Sequence, residues 1–135
     1  MRVVLDANVL VSGVITIEGP CGRIMYMLFE ESLQLCVDQR VLAEYERVRP
    51  RPEFRLNPGP VARALDVGRA NGQSVAPTPL LVELPHPDEL PFLEVAAEAG
   101  VILVTGNLRH FSRRSRAGVT VLSPREFLDL IHGTL

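Results

Sequence analysis

Val3-Val4-Leu5 is a wholly apolar run that stops at a carboxylate, Asp6. A run this short cannot make a buried helix, but it suits a strand covered on both faces of a sheet. Comparable runs recur at Leu33–Val37, Val101–Val104 and Val119–Leu122, and stretches with apolar residues at helical spacing lie between them. Alternation of this kind predicts a parallel sheet with helices on both faces and right-handed crossovers. In such folds ligands gather beyond the carboxyl ends of the strands, which makes Asp6 a candidate for chemistry. Asp6 and Asn8 are equally the residue types that cap a turn or the next helix, and this stretch alone does not separate the two readings.

The rest of the chain fills in the alternation. Leu10–Ile17 continues as an apolar loop or helix entry, broken at Gly19-Pro20. Pro20 suits a helix start, and Ile24, Met27 and Leu28 fall on one face of a helix over Gly22–Glu31. Asp38 can cap a helix that buries Val41, Leu42 and Tyr45, carries Glu44 at its centre and stops at Pro50 and Pro52. A loop at Arg51–Pro60 precedes a helix with Val61, Ala64, Leu65 and Val67 inward and Gly72 near its stop. A short strand is expected at Leu80–Val82, then a polar turn at His86–Leu90 carrying Asp88 and Glu89. Pro91–Ala99 reads as a helix closed by Gly100, and Ser123, Pro124 and Glu126 open a final helix as a capping box.

With 135 residues, 47% apolar and 22% charged, the chain is expected to form one globular domain spanning 1–135. No apolar stretch approaches the roughly 18 residues of a membrane span, and no leader pattern opens the chain. Cys21 and Cys36 have neither metal-knuckle spacing nor disulfide-scaffold density, so a cytoplasmic protein with reduced cysteines is expected. The formal charge is −2, and every one of the 14 basic residues is arginine. They cluster at Arg47, Arg49, Arg51 and Arg55, and again at Arg109, Arg113, Arg114 and Arg116. Arginine's planar fork suits phosphate, although a genome rich in G and C would also favour it everywhere.

The functional argument rests on the acids. Asp6 ends the first strand, Asn107 follows Val101–Val104, Asp88 and Glu89 precede the helix feeding that strand, and Glu44 can lean over the same sheet edge. Carboxylates gathered around one crevice repel one another unless a cation offsets them. Oxygen ligands without Cys or His favour Mg²⁺ or Mn²⁺ over zinc. Such an ion polarises a phosphoryl oxygen and activates water.

The stretches RVVLDANVLVSG, VDQRVLAEYERV, HPDELPFLEVAAEAG, VILVTGNLRHF and VTVLSPREFL occur in this order and span most of the chain. Together they resemble the PIN-domain family, in particular its VapC-like members, the toxin components of bacterial toxin–antitoxin pairs. The resemblance implies a three-layer α/β/α sandwich with a central, mainly parallel sheet. It also implies Mg²⁺- or Mn²⁺-dependent endonucleolytic cleavage of RNA, with a cognate antitoxin as partner. Carried over by position, it makes Asp6, Glu44 and Asp88 or Glu89 the metal ligands and catalytic acids. Counting back from Gly100 favours Glu89, with Asp88 one residue away. Asn107 joins the catalytic set, and Asn8, Thr105, Arg109 and His110 face substrate or water. His110 can contact phosphate or shuttle a proton, or simply pack beside Phe111. Two positions depart from the family pattern: His86 stands where Asp is common, and Asn107 where a fourth acid is common. With one carboxylate fewer, a single or weakly held metal is expected.

Other readings differ on specific residues. A haloacid-dehalogenase-like phosphatase wants a second Asp where Asn8 stands, and no glycine-rich loop follows the first strand to bind a dinucleotide. The serious alternative is a catalytically degraded module of the same fold that acts through RNA or protein binding. Surplus apolar residues such as Met25, Met27 and Phe29 would favour a homodimer or an antitoxin groove.

Overall fold

The computed structural model describes residues 1–49 and 59–133. The stop expected at Pro50 and Pro52, and most of the loop expected at Arg51–Pro60, lie outside them.

The element order is β1 (Arg2–Leu5), α1 (Ala7–Ile15), α2 (Pro20–Phe29), β2 (Gln34–Val37), α3 (Gln39–Arg47), α4 (Gly59–Asn71), β3 (Gln73–Ser74), α5 (Leu90–Ala99), β4 (Ile102–Val104), β5 (Val121–Leu122) and α6 (Pro124–Ile131). The strands form one five-stranded sheet in the order β3-β2-β1-β4-β5, and every pair is parallel. β1 is central, with Val3 opposite Ile102 and Leu5 opposite Val104. Its Val3, Val4 and Leu5 are wholly buried, as a short apolar run between two helical layers requires. One layer is α5, which packs on β1, β2 and β4; the other is α1, α2 and α4, with α6 against α2 and β5. α3 touches α1 and α4 of one layer and α5 of the other.

Several local signals act as expected. Asp38 caps α3, its Oδ1 accepting from the Val41 N–H at 2.9 Å. Ser123 and Glu126 form the reciprocal capping box of α6. Gly100 ends α5 in the left-handed conformation at φ +69°, where a side chain would be strained.

Two expectations change. Leu10–Ile17 is neither loop nor entry, because α1 begins directly after Asp6 and runs from Ala7 to Ile15. Leu80–Val82 is not a strand. The third strand pairs earlier, with Cys36 opposite Gln73 and Val37 opposite Ser74. The chain beyond it is held by α5 instead: the Leu80 N–H donates to Glu94 Oε2 at 2.7 Å, and the Thr78 N–H to Glu98 Oε1 at 3.2 Å. Pro77, Pro79 and Pro85 supply no N–H, so this strap could not have completed a ladder. Glu94 is buried and paired through Oε1 with Arg40 at 2.7 Å, and Arg40 in turn pairs with Asp38 at 2.8 Å.

Tyr45 ties α3 to the sheet. Its ring is fully buried 6.1 Å from Phe92, and its hydroxyl donates to the Leu5 carbonyl at 2.6 Å. Burial pushes the phenol well above its ordinary pKa, so it remains a donor. Leu5 precedes Asp6 and Tyr45 follows Glu44, so one hydrogen bond sets the spacing of two candidate acids. Tyr45→Phe is expected to lower the unfolding free energy by about 1–2 kcal/mol, read as a shift of the urea midpoint at unchanged slope.

Candidate active site

Asp6 is placed by backbone pairing. Its N–H donates to the Val104 carbonyl at 2.9 Å, continuing the β1–β4 ladder one residue past the strand. It stands at the N-cap of α1 but makes no capping bond. Its Oδ2 accepts from the buried Thr105 hydroxyl at 2.8 Å, a bond across the strand ends and not a helix cap. Asn8 reaches the same strand end: its amide donates to Thr105 Oγ1 at 3.4 Å, and its Oδ1 accepts from the Gly106 N–H at 3.1 Å. Thr105 Oγ1 also accepts from the Asn107 N–H at 3.0 Å.

A cleft of about 380 Å³ opens here, lined among others by Asp6, Asn8, Glu44, Arg47, His86, Asp88, Glu89 and Asn107. The fold thus brings all the predicted acids and Asn107 to one crevice, but not on equal terms. Glu89 follows His86 and Asp88 on a single 3-10 turn, Pro87–Glu89, and its side chain is 13% exposed. Asp88 on the same turn is 75% exposed and faces outward. Glu44 is half-buried and clamped by Arg47, whose Nε and Nη2 donate to its two oxygens at 3.0 and 2.8 Å. Arg47 also lies 3.7 Å from Asp88. Thr105 sits beneath the cleft, in contact with Asp6. Arg109 and His110 border a neighbouring hollow with Gly106, Asn107 and Ser123. His110 meets the first cleft through Glu89, its Nδ1 bonded to Glu89 Oε1.

Arg47 was named in the sequence only as one of an arginine group; its i,i+3 spacing from Glu44 was the signal that it would reach into the site. The contact between His86 and His110, whose rings lie 4.0 Å apart, joins residues far apart in sequence and had no such signal.

The model of the PIN domain family matches residues 2–109. The chain belongs to the PIN domain family. Among curated proteins none matches it in sequence. A solved structure described as VapBC2 from Rickettsia felis bound to a DNA fragment from its promoter is similar in fold. It has a TM-score of 0.56 at 15% identity over 91% of this chain and 98% of that one.

In this PIN domain the inner carboxyls suit a divalent cation. Burial raises the Asp6 pKa from 3.8 to about 7, with the charge of Glu89 next in effect, against the opposing Thr105 bond. Glu89 Oε2 is buried with no hydrogen-bond partner. A carboxylate oxygen left bare beside a second carboxyl is costly for the protein alone and is satisfied by a hard cation. Among the described residues no three acids or imidazoles converge tightly enough to form a ready-made cage. A cation here would therefore keep water in its shell, as Mg²⁺ commonly does.

Without metal, the folded protein holds a proton at this pair that the unfolded chain releases near pH 3.8, so stability falls as pH rises from about 4 to 7. Asp6→Asn keeps an acceptor for Thr105 and removes the charge. It is expected to flatten that slope and to raise metal-free stability at pH 8 by roughly 2–4 kcal/mol, measured by urea unfolding in EDTA at pH 4, 6 and 8.

Proposed function

We propose that this chain is a divalent-metal-dependent endoribonuclease that hydrolyses RNA phosphodiesters and serves as the toxin of a toxin–antitoxin pair. PIN domains are generally nucleases that use divalent metals, and that family membership supports the reaction class. The observation that carries the reading for this chain is the buried, partnerless Glu89 Oε2 beside Asp6.

In this reading Asp6 and Glu89 would hold Mg²⁺ or Mn²⁺, with Glu44 and Asp88 on the outer side of the same cleft. The ion supplies polarisation of the phosphoryl group and activation of water. The residues of the chain do the rest. Thr105 and Asn8 keep the Asp6 carboxylate at the strand end through the Thr105 hydroxyl. Asn107, exposed at the mouth of the cleft, orients water or a phosphate oxygen where a carboxylate would repel it. Arg47 is already drawn toward Glu44 and Asp88, and can turn its fork to a phosphate while staying charged. Arg109 lies beside the same mouth. Contacts of this kind grip the backbone and carry no base information.

The partner side of the proposal is a cognate antitoxin and a homodimeric toxin. Met25 is buried and Met27 and Phe29 are partly buried against the core, with Met25 and Phe29 lining an apolar groove beside Ile17 and Tyr26. Exposed apolar surface lies nearby at Ile15, Ile17 and Tyr26, and suits a protein partner. No helix of the described residues is long and apolar enough to cross a membrane.

A second reading, a PIN module that binds without cleaving, is favoured by one observation: Glu44 is occupied by Arg47 in a two-pronged pair. Calorimetry with Mg²⁺ and Mn²⁺, paired with cleavage of a labelled RNA pool, separates the two. Wild type is expected to bind metal and cleave, and Asp6→Asn to keep its fold while losing at least about 100-fold in cleavage. Undiminished cleavage by Asp6→Asn, in a preparation free of host nucleases, would overturn the role of Asp6 as a metal ligand, and wild type that binds metal without cleaving would overturn the ribonuclease reading.

A further inference from the structure

His110 lies one residue beyond the stretch that matches the family model, yet it contacts the inner acid pair directly. It belongs to a single 3-10 turn, Leu108–His110, that follows Asn107 at the end of β4. Its Nδ1 is bonded to Glu89 Oε1. A metal-ligating Glu89 is ionised and can only accept, so Nδ1 carries the hydrogen of this contact. The ring plane is fixed by His86, stacked at 4.0 Å and tilted by 35°. His86 is the residue before the turn that carries Glu89, so both ends of the Glu89–His110 contact are braced by the same short segment.

We propose that His110 is a positioning residue for the metal site: it holds Glu89 by one carboxylate oxygen, so that the buried second oxygen is presented to the cation. The proposal rests on the reading of Asp6 and Glu89 as metal ligands. This role is separate from a phosphate contact or proton shuttle, because it uses Nδ1, the nitrogen bonded to Glu89. It also gives the departure at His86 a purpose, because an aspartate there would offer no ring to stack on His110. Outer partners that orient a ligating group commonly change metal affinity by about 10- to 100-fold when removed.

The test uses Mn²⁺ alone as probe, titrated calorimetrically into metal-free protein, with thermal unfolding in EDTA run on each variant. In His110→Asn the amide nitrogen occupies the place of Nδ1, whereas in His110→Gln it is displaced outward. The expected result is that His110→Ala and His110→Gln bind Mn²⁺ about 10- to 100-fold more weakly than wild type. His110→Asn is expected to stay within about threefold of wild type, and Asp6→Asn to show no binding. A purely structural His110 would lower metal-free stability in step with affinity, without distinguishing Asn from Gln. If His110→Ala binds as tightly as wild type while Asp6→Asn has lost binding, the positioning role falls and the ligand reading stands. If wild type takes up no Mn²⁺, both fall. Should His110→Ala fail to fold, the Asn and Gln variants decide alone: equal affinities overturn the proposal.

Discussion

The backbone bond from the Asp6 N–H to the Val104 carbonyl is the constraint on which the site depends. It keeps two neighbouring parallel strands together for one residue past their ends, so that Asp6 and Thr105 leave the sheet side by side. Thr105 is in turn fixed to the far strand, its N–H donating to the Leu122 carbonyl at 3.0 Å. A hydroxyl has one hydrogen to give and two lone pairs to receive. That of Thr105 gives to Asp6 and receives from Asn8 and Asn107. The two segments that leave β1 and β4 are therefore tied to one buried oxygen.

The acids of the cleft are unequal because the protein compensates them differently. Asp6 is buried and meets a neutral hydroxyl, which leaves its charge largely unopposed. Glu89 meets an imidazole on one oxygen and nothing on the other. Glu44 has a guanidinium across both oxygens, and Asp88 lies mostly in solvent at the edge of the same guanidinium. Among the described residues the inner pair thus has no ion-pair partner except the His110 imidazole, whereas the outer pair shares the Arg47 guanidinium. Exposed pairs such as Arg47–Glu44 contribute little to stability. Their side chains can be rearranged at small cost when an anionic ligand approaches.

Much of this was legible in the sequence because the governing signals are local. Val3–Leu5 could be read as a buried strand, Gly100 as a helix end and Ser123–Glu126 as a helix start, since each depends on a handful of adjacent residues. That Asp6 and Asn107 share an edge followed from strand parallelism alone. Failures came where a distant residue decides. Leu80–Val82 has strand-like composition, but Glu94 of α5 takes the Leu80 N–H, and Leu81 ends fully exposed. The choice between Asp88 and Glu89 turns on the phase of one 3-10 turn, which spacing cannot fix. The pairing of His86 with His110 joins two loops, and no periodicity reports it.

Between Ser74 and Leu90 the chain runs as a tether whose length is set at both ends and in the middle. It leaves the sheet where the Val75 N–H reaches the Val37 carbonyl, is pinned halfway by Glu98 and Glu94, and arrives at the turn that bears Glu89. The pins grip main-chain atoms, so the outward side chains at Ala76, Leu81 and Glu83 are free to drift over evolutionary time. The number of residues is not, because one added or removed between Leu80 and Pro87 would rotate the arriving turn and carry its carboxylate away from the strand ends.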